Sequence, residues 1–154
     1  MNPIPASIKI GTVGELLVQL RLLQYGVQAA PPRKDTGNDL IAVRGNTFRA
    51  VQVKTTVTGD SFPEPKDRLF HILAFVRLAY YEDRLLLDES DVYLYDINNV
   101  AQADGRNVDP DHKISQQLVD QLFPLHSSER MSSTQDEDHA NQSLLDTSLH
   151  AAPE

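Results

Sequence analysis

The sequence predicts an α/β domain with a mixed sheet flanked by helices, followed by a disordered acidic tail. Three observations carry that reading. Apolar residues recur at helical spacing from Val13 to Leu23. Two β-rich runs, residues 38–43 and 47–54, flank a Gly45-Asn46 turn signal. Apolar positions nearly cease after Ser127, where Ser, Asp, Glu, Gln and His take over. With 154 residues and 40% hydrophobic content, the chain suits one domain with a sizeable core. It is assigned to residues 1–126, and residues 127–154 are the tail.

The first helix has Val13, Leu16, Leu17, Leu20 and Leu23 as its apolar stripe and ends at Tyr25-Gly26, where the glycine is a C-cap. Glu15 falls at the flank of that stripe, and Gly14 permits close packing. In the hairpin, a two-residue loop with Gly first pairs Arg44 with Thr47. Each step back along one strand is then a step forward along the other, so Asp39 falls opposite Gln52, and Lys54 shares the face of Gln52. Residues 58–65 are turn and loop chemistry. Residues 70–78 form a strand or a buried helix, since periodicity does not separate the two. Residues 91–96 alternate as a strand, residues 98–111 are polar, and Ile114, Leu118 and Leu122 mark a short helix stopped by Pro124.

A carboxylate, a carboxamide and an ammonium thus converge at one end of a hairpin otherwise made of Leu, Ile, Val, Ala and Phe. Polar groups buried without partners cost about 1–3 kcal/mol each, and a divalent cation would supply a partner. Mg²⁺ takes one or two carboxylates and leaves its other positions to water and phosphate. Asp39 is the main candidate ligand, with Gln52 and the backbone carbonyl of Val53 as neutral oxygens. Lys54 cannot bind a cation, and its ammonium would stand beside an attacking water or a phosphate. Glu15 reaches over the sheet edge toward Asp39. The bland alternative for Glu15 is a solvated acid complementing the helix dipole.

The order Gly11-Thr12-Val13-Gly14-Glu15, then Gly37-Asn38-Asp39-Leu40, then Val51-Gln52-Val53-Lys54-Thr55-Thr56 resembles the PD-(D/E)XK endonuclease superfamily, in particular its small bacterial and group-I-intron-associated branch. The match covers residues 8 to 100. The resemblance implies a restriction-endonuclease-like αβββαβ core and Mg²⁺-dependent hydrolysis of DNA phosphodiesters, with Mn²⁺ as a possible substitute. It assigns Glu15 as the helix acid, Asp39 as the central metal ligand, Gln52 to the acid-or-variant position and Lys54 as the lysine. Two departures stand out: Gln52 replaces the usual Asp or Glu, and Asn38 stands where a proline usually precedes the aspartate. The site therefore carries one fewer negative charge. A catalytically inactive nuclease-fold binding module, or a partner subunit in a defence or mobile-element system, is the alternative.

The chain has no cysteine, which excludes disulfides and thiolate metal sites. No N-terminal leader pattern and no apolar run of membrane-spanning length is present, so a cytoplasmic protein without membrane partners is expected. The net charge of −8 opposes nucleic-acid binding, yet it is unevenly spread. Residues 1–68 hold nine basic and six acidic side chains, a balance of +3, whereas residues 69–126 hold four and ten. Arg33, Lys34, Arg44, Arg49, Lys66 and Arg68 surround the motif and are candidates to track phosphates. The five histidines show no metal-ligand spacing, and His71 in an apolar run is a core or strand residue. One active site per small domain leads to the expectation of a homodimer or higher homo-oligomer for cutting both strands.

Overall fold

The computed structural model describes residues 6–34, 37–57, 69–102 and 108–125. The chain divides into two units, Met1–Pro124 and Leu125–Glu154, and every element below belongs to the first. Helix α1 (Ala6–Gln24) is followed by strands β1 (Gln28–Ala30), β2 (Leu40–Arg44), β3 (Thr47–Val57), β4 (Ile72–Tyr81) and β5 (Arg84–Asp96). Two 3₁₀ turns, Ile97–Gln102 and Pro110–His112, lead into helix α2 (Gln116–Leu122). The strands form one mixed sheet in the order β1-β2-β3-β4-β5, antiparallel except for the β3–β4 pair. The expected α/β class and mixed sheet are therefore present. The second helix of the implied αβββαβ order would stand in residues 58–68, which, like the tail 127–154, lie outside the described residues.

β4 resolves the ambiguity of its segment. It lies between β3 and β5 with both faces covered, and a strand in that position reads as a continuous apolar run rather than an alternation. Successive β4 residues feed two cores. Ile72, Ala74 and Val76 pack with Leu17, Val18 and Leu22 of α1 and with Leu40, Val51, Val92 and Leu94. Leu73 and Phe75 pack with Phe70, Tyr93 and Tyr95 on the other face.

The local signals act as their chemistry requires. Gly26 adopts a φ of +74°, and the N–H groups of Gly26 and Val27 bond to the carbonyls of Leu23 and Leu22, a Schellman cap for α1. Gly45 takes positive φ and Asn46 does not, as a type II′ hairpin turn demands. The β4–β5 turn is different. Glu82 and Asp83 both sit in the left-handed region, at φ of 46° and 61°. No glycine marks the place, so the strand expected to stop near Leu78 runs on to Tyr81.

Two expectations are corrected. Leu16, Leu20 and Leu23 do not face the core; the buried face of α1 is made of Gly14, Leu17, Val18 and Leu22. Apolar residues occur around most of this helix, and the sheet accepts the side that carries the glycine. Arg44 and Arg49 do not offer their guanidinium groups to phosphate. Arg44 Nη1 bonds to Asp120 Oδ1 at 2.6 Å and to the Phe123 carbonyl at 3.1 Å, and Arg49 Nε donates to the Leu122 carbonyl at 3.2 Å. Both satisfy the carbonyl-rich end of α2, where cations are favoured by the helix dipole.

Candidate active site

The β2–β3 ladder runs from Arg44 opposite Thr47 to Leu40 opposite Val51, in the register the turn dictates. At its open end the regular pattern stops. The Asp39 N–H bonds at 3.1 Å to the carbonyl of Val51, the residue that Leu40 already faces. Two residues of one strand thus meet one of the other, as in a β-bulge. Asp39 does not simply continue the ladder opposite Gln52, which corrects the sequence reading. Its carboxylate reaches Gln52 all the same. Gln52 Nε2 donates to Asp39 Oδ2 at 2.5 Å, and the Val53 N–H donates to the same oxygen at 2.6 Å.

This pair of bonds has a structural cause. In β3 the backbone of Val53 points toward the space that β2 would occupy if it were longer. A strand donor left there is an edge group that must find a partner. Asp39 supplies it from a side chain, which places the carboxylate near the plane of the sheet. The N–H and C=O of one strand residue project to the same side, so the Val53 carbonyl opens on the same edge. Asp39 Oδ1 carries no hydrogen bond among the described residues.

Glu15 comes from the other layer. Its carboxyl is pushed above the ordinary glutamate range, first by burial and second by the negative charge of Asp39, so the two acids are within electrostatic reach. Gly14 makes that approach feasible: a Cβ built there would lie 1.8 Å from Thr55 Oγ1 and 2.8 Å from Thr55 Cβ. Only a glycine lets α1 sit so close to β3 and deliver the next residue to the strand end. Lys54 is two residues beyond Gln52 on the same face, alongside Phe75 of β4, partly buried and without an ion pair among the described residues.

One neighbour was not singled out by chemistry in the sequence. The Asn38 Oδ1 is buried and has no hydrogen-bond partner, immediately before Asp39. Buried acceptors are usually paired, so an unpaired one in the residue next to Asp39 departs from the rule. Its only sequence signal is position. Among the described residues no group of three or more His, Asp or Glu is placed to hold a metal ion, so any cation here would rest on two carboxylates and neutral oxygens. That number is within the usual range for Mg²⁺. Of the exposed cations near the motif, Arg33 and Lys34 remain available on the surface, and Lys66 and Arg68 lie outside the described residues.

No family model matches the chain, and no curated protein matches it. Among solved structures it is similar to a bacterial homing endonuclease, I-Ssp6803I, over 76% of this chain and 95% of that one, with a TM-score of 0.48 and 15% sequence identity. Among the described residues no helix is long and apolar enough to cross a membrane.

Proposed function

We propose that this chain is a metal-dependent endonuclease of the PD-(D/E)XK kind that hydrolyses DNA phosphodiester bonds. The observation that carries the reading is the state of Asp39: one carboxylate oxygen is fixed by Gln52 and the Val53 N–H, the other is left open, and a second carboxylate, Glu15, is held near enough to be repelled by it. Two carboxylates within electrostatic reach of each other are the kind of donor pair that a divalent cation takes.

Asp39 Oδ1 and Glu15 would hold Mg²⁺ or Mn²⁺, with Gln52 Oε1 and the Val53 carbonyl as neutral oxygen donors. Such an ion, when bound, polarises a phosphate oxygen and lowers the pKa of a water. The protein's own groups do the rest. Gln52 orients Asp39 so that its free oxygen, not the bonded one, meets the ligand. Lys54 places a positive charge where negative charge accumulates on the phosphate as the nucleophile attacks in line. Arg33 and Lys34 add phosphate contacts whose strength falls with salt.

The test is cleavage of supercoiled plasmid with Mg²⁺ or Mn²⁺. Lys54→Ala and Asp39→Asn are expected to reduce the rate by about 10²–10³ or more, the scale on which removing one transition-state charge contact acts. Both keep the fold. A wild-type chain inert with both ions on every DNA substrate defeats the proposal in favour of a binding module.

A further inference from the structure

β4 begins beside Val51, so on that side the residues of β3 from Thr47 to Ala50 have no strand neighbour among the described residues. His71, the residue just before β4, fills part of the gap. Its N–H bonds to the Ala50 carbonyl at 2.9 Å, its carbonyl accepts from the Ile97 N–H at 2.9 Å, and its Nδ1 takes the Ala50 N–H at 3.0 Å. The residue is exposed and is no part of the core.

The bond to Nδ1 decides the chemistry of the ring. A backbone N–H can only donate, so Nδ1 is the acceptor and the neutral imidazole carries its proton on Nε2. In that form Nε2 is neither a base nor a metal ligand. It is a hydrogen-bond donor held in a fixed place, and the ligand complementary to it is an acceptor. Closing a strand edge needs the Nδ1 acceptor alone, so the Nε2 donor is left over from that task. Phe48 is the second observation. It is 63% exposed and, by alternation along β3, shares a face with Ala50, Gln52 and Lys54.

We propose that Phe48 and His71 form a nucleobase subsite beside the proposed active site: an unpaired base of the substrate strand stacks on the Phe48 ring, and His71 Nε2–H donates to an acceptor on the base edge. A base is the occupant that offers both a flat π-face and an in-plane acceptor. Position agrees. Ala50, which His71 caps, stands about 7 Å and Phe48 about 13 Å before Gln52 along the strand. A nucleic-acid strand leaving Lys54 covers that distance in about four nucleotides at a stacked rise of about 3.4 Å each. A base paired in a closed duplex is already stacked on both sides, so the subsite selects single-stranded, looped or frayed DNA. The inference rests on the reading of the Gln52–Lys54 face as the substrate side, and it narrows that substrate to DNA with unpaired bases beside the cut.

The test is binding of the full chain to a fluorescent single strand of about twelve nucleotides, at low salt and without divalent ions, so that cleavage does not enter. The wild type is expected to prefer this strand to a closed duplex of the same sequence, although the duplex carries the denser charge. Phe48→Ala should weaken single-strand binding about tenfold, within the range for one base–aromatic stack, and Phe48→Trp should retain it. His71→Asn keeps an acceptor for the Ala50 N–H and removes the Nε2 donor, so it should melt with the wild type and bind severalfold more weakly. With 5-iododeoxyuridine in the strand, ultraviolet cross-linking should join the base to the peptide that carries Phe48. Absence of binding, absence of single-strand preference, wild-type affinity in Phe48→Ala or in His71→Asn, or cross-links confined to other peptides each overturns the proposal. Plasmid cleavage is scored separately. A chain that passes these tests and cuts nothing keeps the subsite and loses the nuclease reading, whereas a chain that cuts and fails them keeps the nuclease reading and loses the subsite.

Discussion

The two ends of the β2–β3 hairpin are built by opposite rules. At the turn end, Gly45 sets the register, backbone pairs run regularly, and polar side chains serve the scaffold: Arg44 bonds to Asp120, and Thr47 Oγ1 donates to the Pro124 carbonyl at 3.0 Å. At the open end the ladder breaks at Val51, a carboxylate takes the place of a missing strand, and a buried amide oxygen goes unpaired. The regular end minimises unspent polarity. The irregular end retains it, which is the pattern expected where folding rules yield to a site.

Substitutions can break or sharpen that contrast. The largest effect is expected from Gly14→Ala. Its Cβ would collide with Thr55, including the rigid Cβ and not only the hydroxyl, and overpacking of this kind costs about 3 kcal/mol. Thermal melting should fall by many degrees, and cleavage should fall with it, since α1 cannot lift away without taking Glu15 along. Unchanged stability would mean that α1 does not sit where described.

Gln52→Glu comes next. It exchanges a donor for a second carboxylate against Asp39 and should lower metal-free stability by about 1–2 kcal/mol. Added Mg²⁺ should restore it, so the variant's melting temperature climbs more steeply with Mg²⁺ than that of the wild type. At the turn end, Arg44→Ala should cost about 1 kcal/mol through lost contacts to α2 and should be blind to Mg²⁺. If both variants respond alike to the ion, the two ends are not functionally different.

The smallest effect concerns pH. The folded state raises the Glu15 pKa, so it binds that proton more tightly than the unfolded chain. The stabilisation is complete below the unfolded value of about 4.3 and is lost as pH rises through the higher folded value. Glu15→Gln removes this dependence, so denaturant unfolding between about pH 4 and 7 should show a flatter profile, with the variant slightly more stable than wild type at neutral pH. Cleavage would be lost.

What could be read in advance follows the same division. The hairpin register was legible because a two-residue turn with Gly first leaves almost no alternative. The meeting of Asp39 with Gln52 was legible from that register, but the manner was not, because a bulge depends on where β2 stops and not on residue type. The inner face of α1 was misread for a specific reason: counting apolar residues favours Leu16, Leu20 and Leu23, whereas the sheet selects the face on which Gly14 allows the closest approach. The Glu82-Asp83 turn gave little warning, since Glu is not a usual carrier of positive φ and Asp is only an occasional one. The edge strand β1, three residues long, is too short for any periodicity.

The single parallel seam in the sheet also bears on how the molecule comes together. β1, β2 and β3 meet through near neighbours in sequence, and β4 and β5 meet across a two-residue turn. Val51 to Val57 and Ile72 to Leu78, by contrast, must find each other across an intervening stretch of chain. Loop closure has to precede that reward, which makes such a seam the slow, late step of folding. Gln52 and Lys54 stand on it, registered against Leu73 and Phe75. A growing chain still lacking β4 would hold the acids and the lysine without the wall that orders them. The proposed site would thus be complete only with the finished sheet, so that whatever activity it has is withheld while the chain is being made.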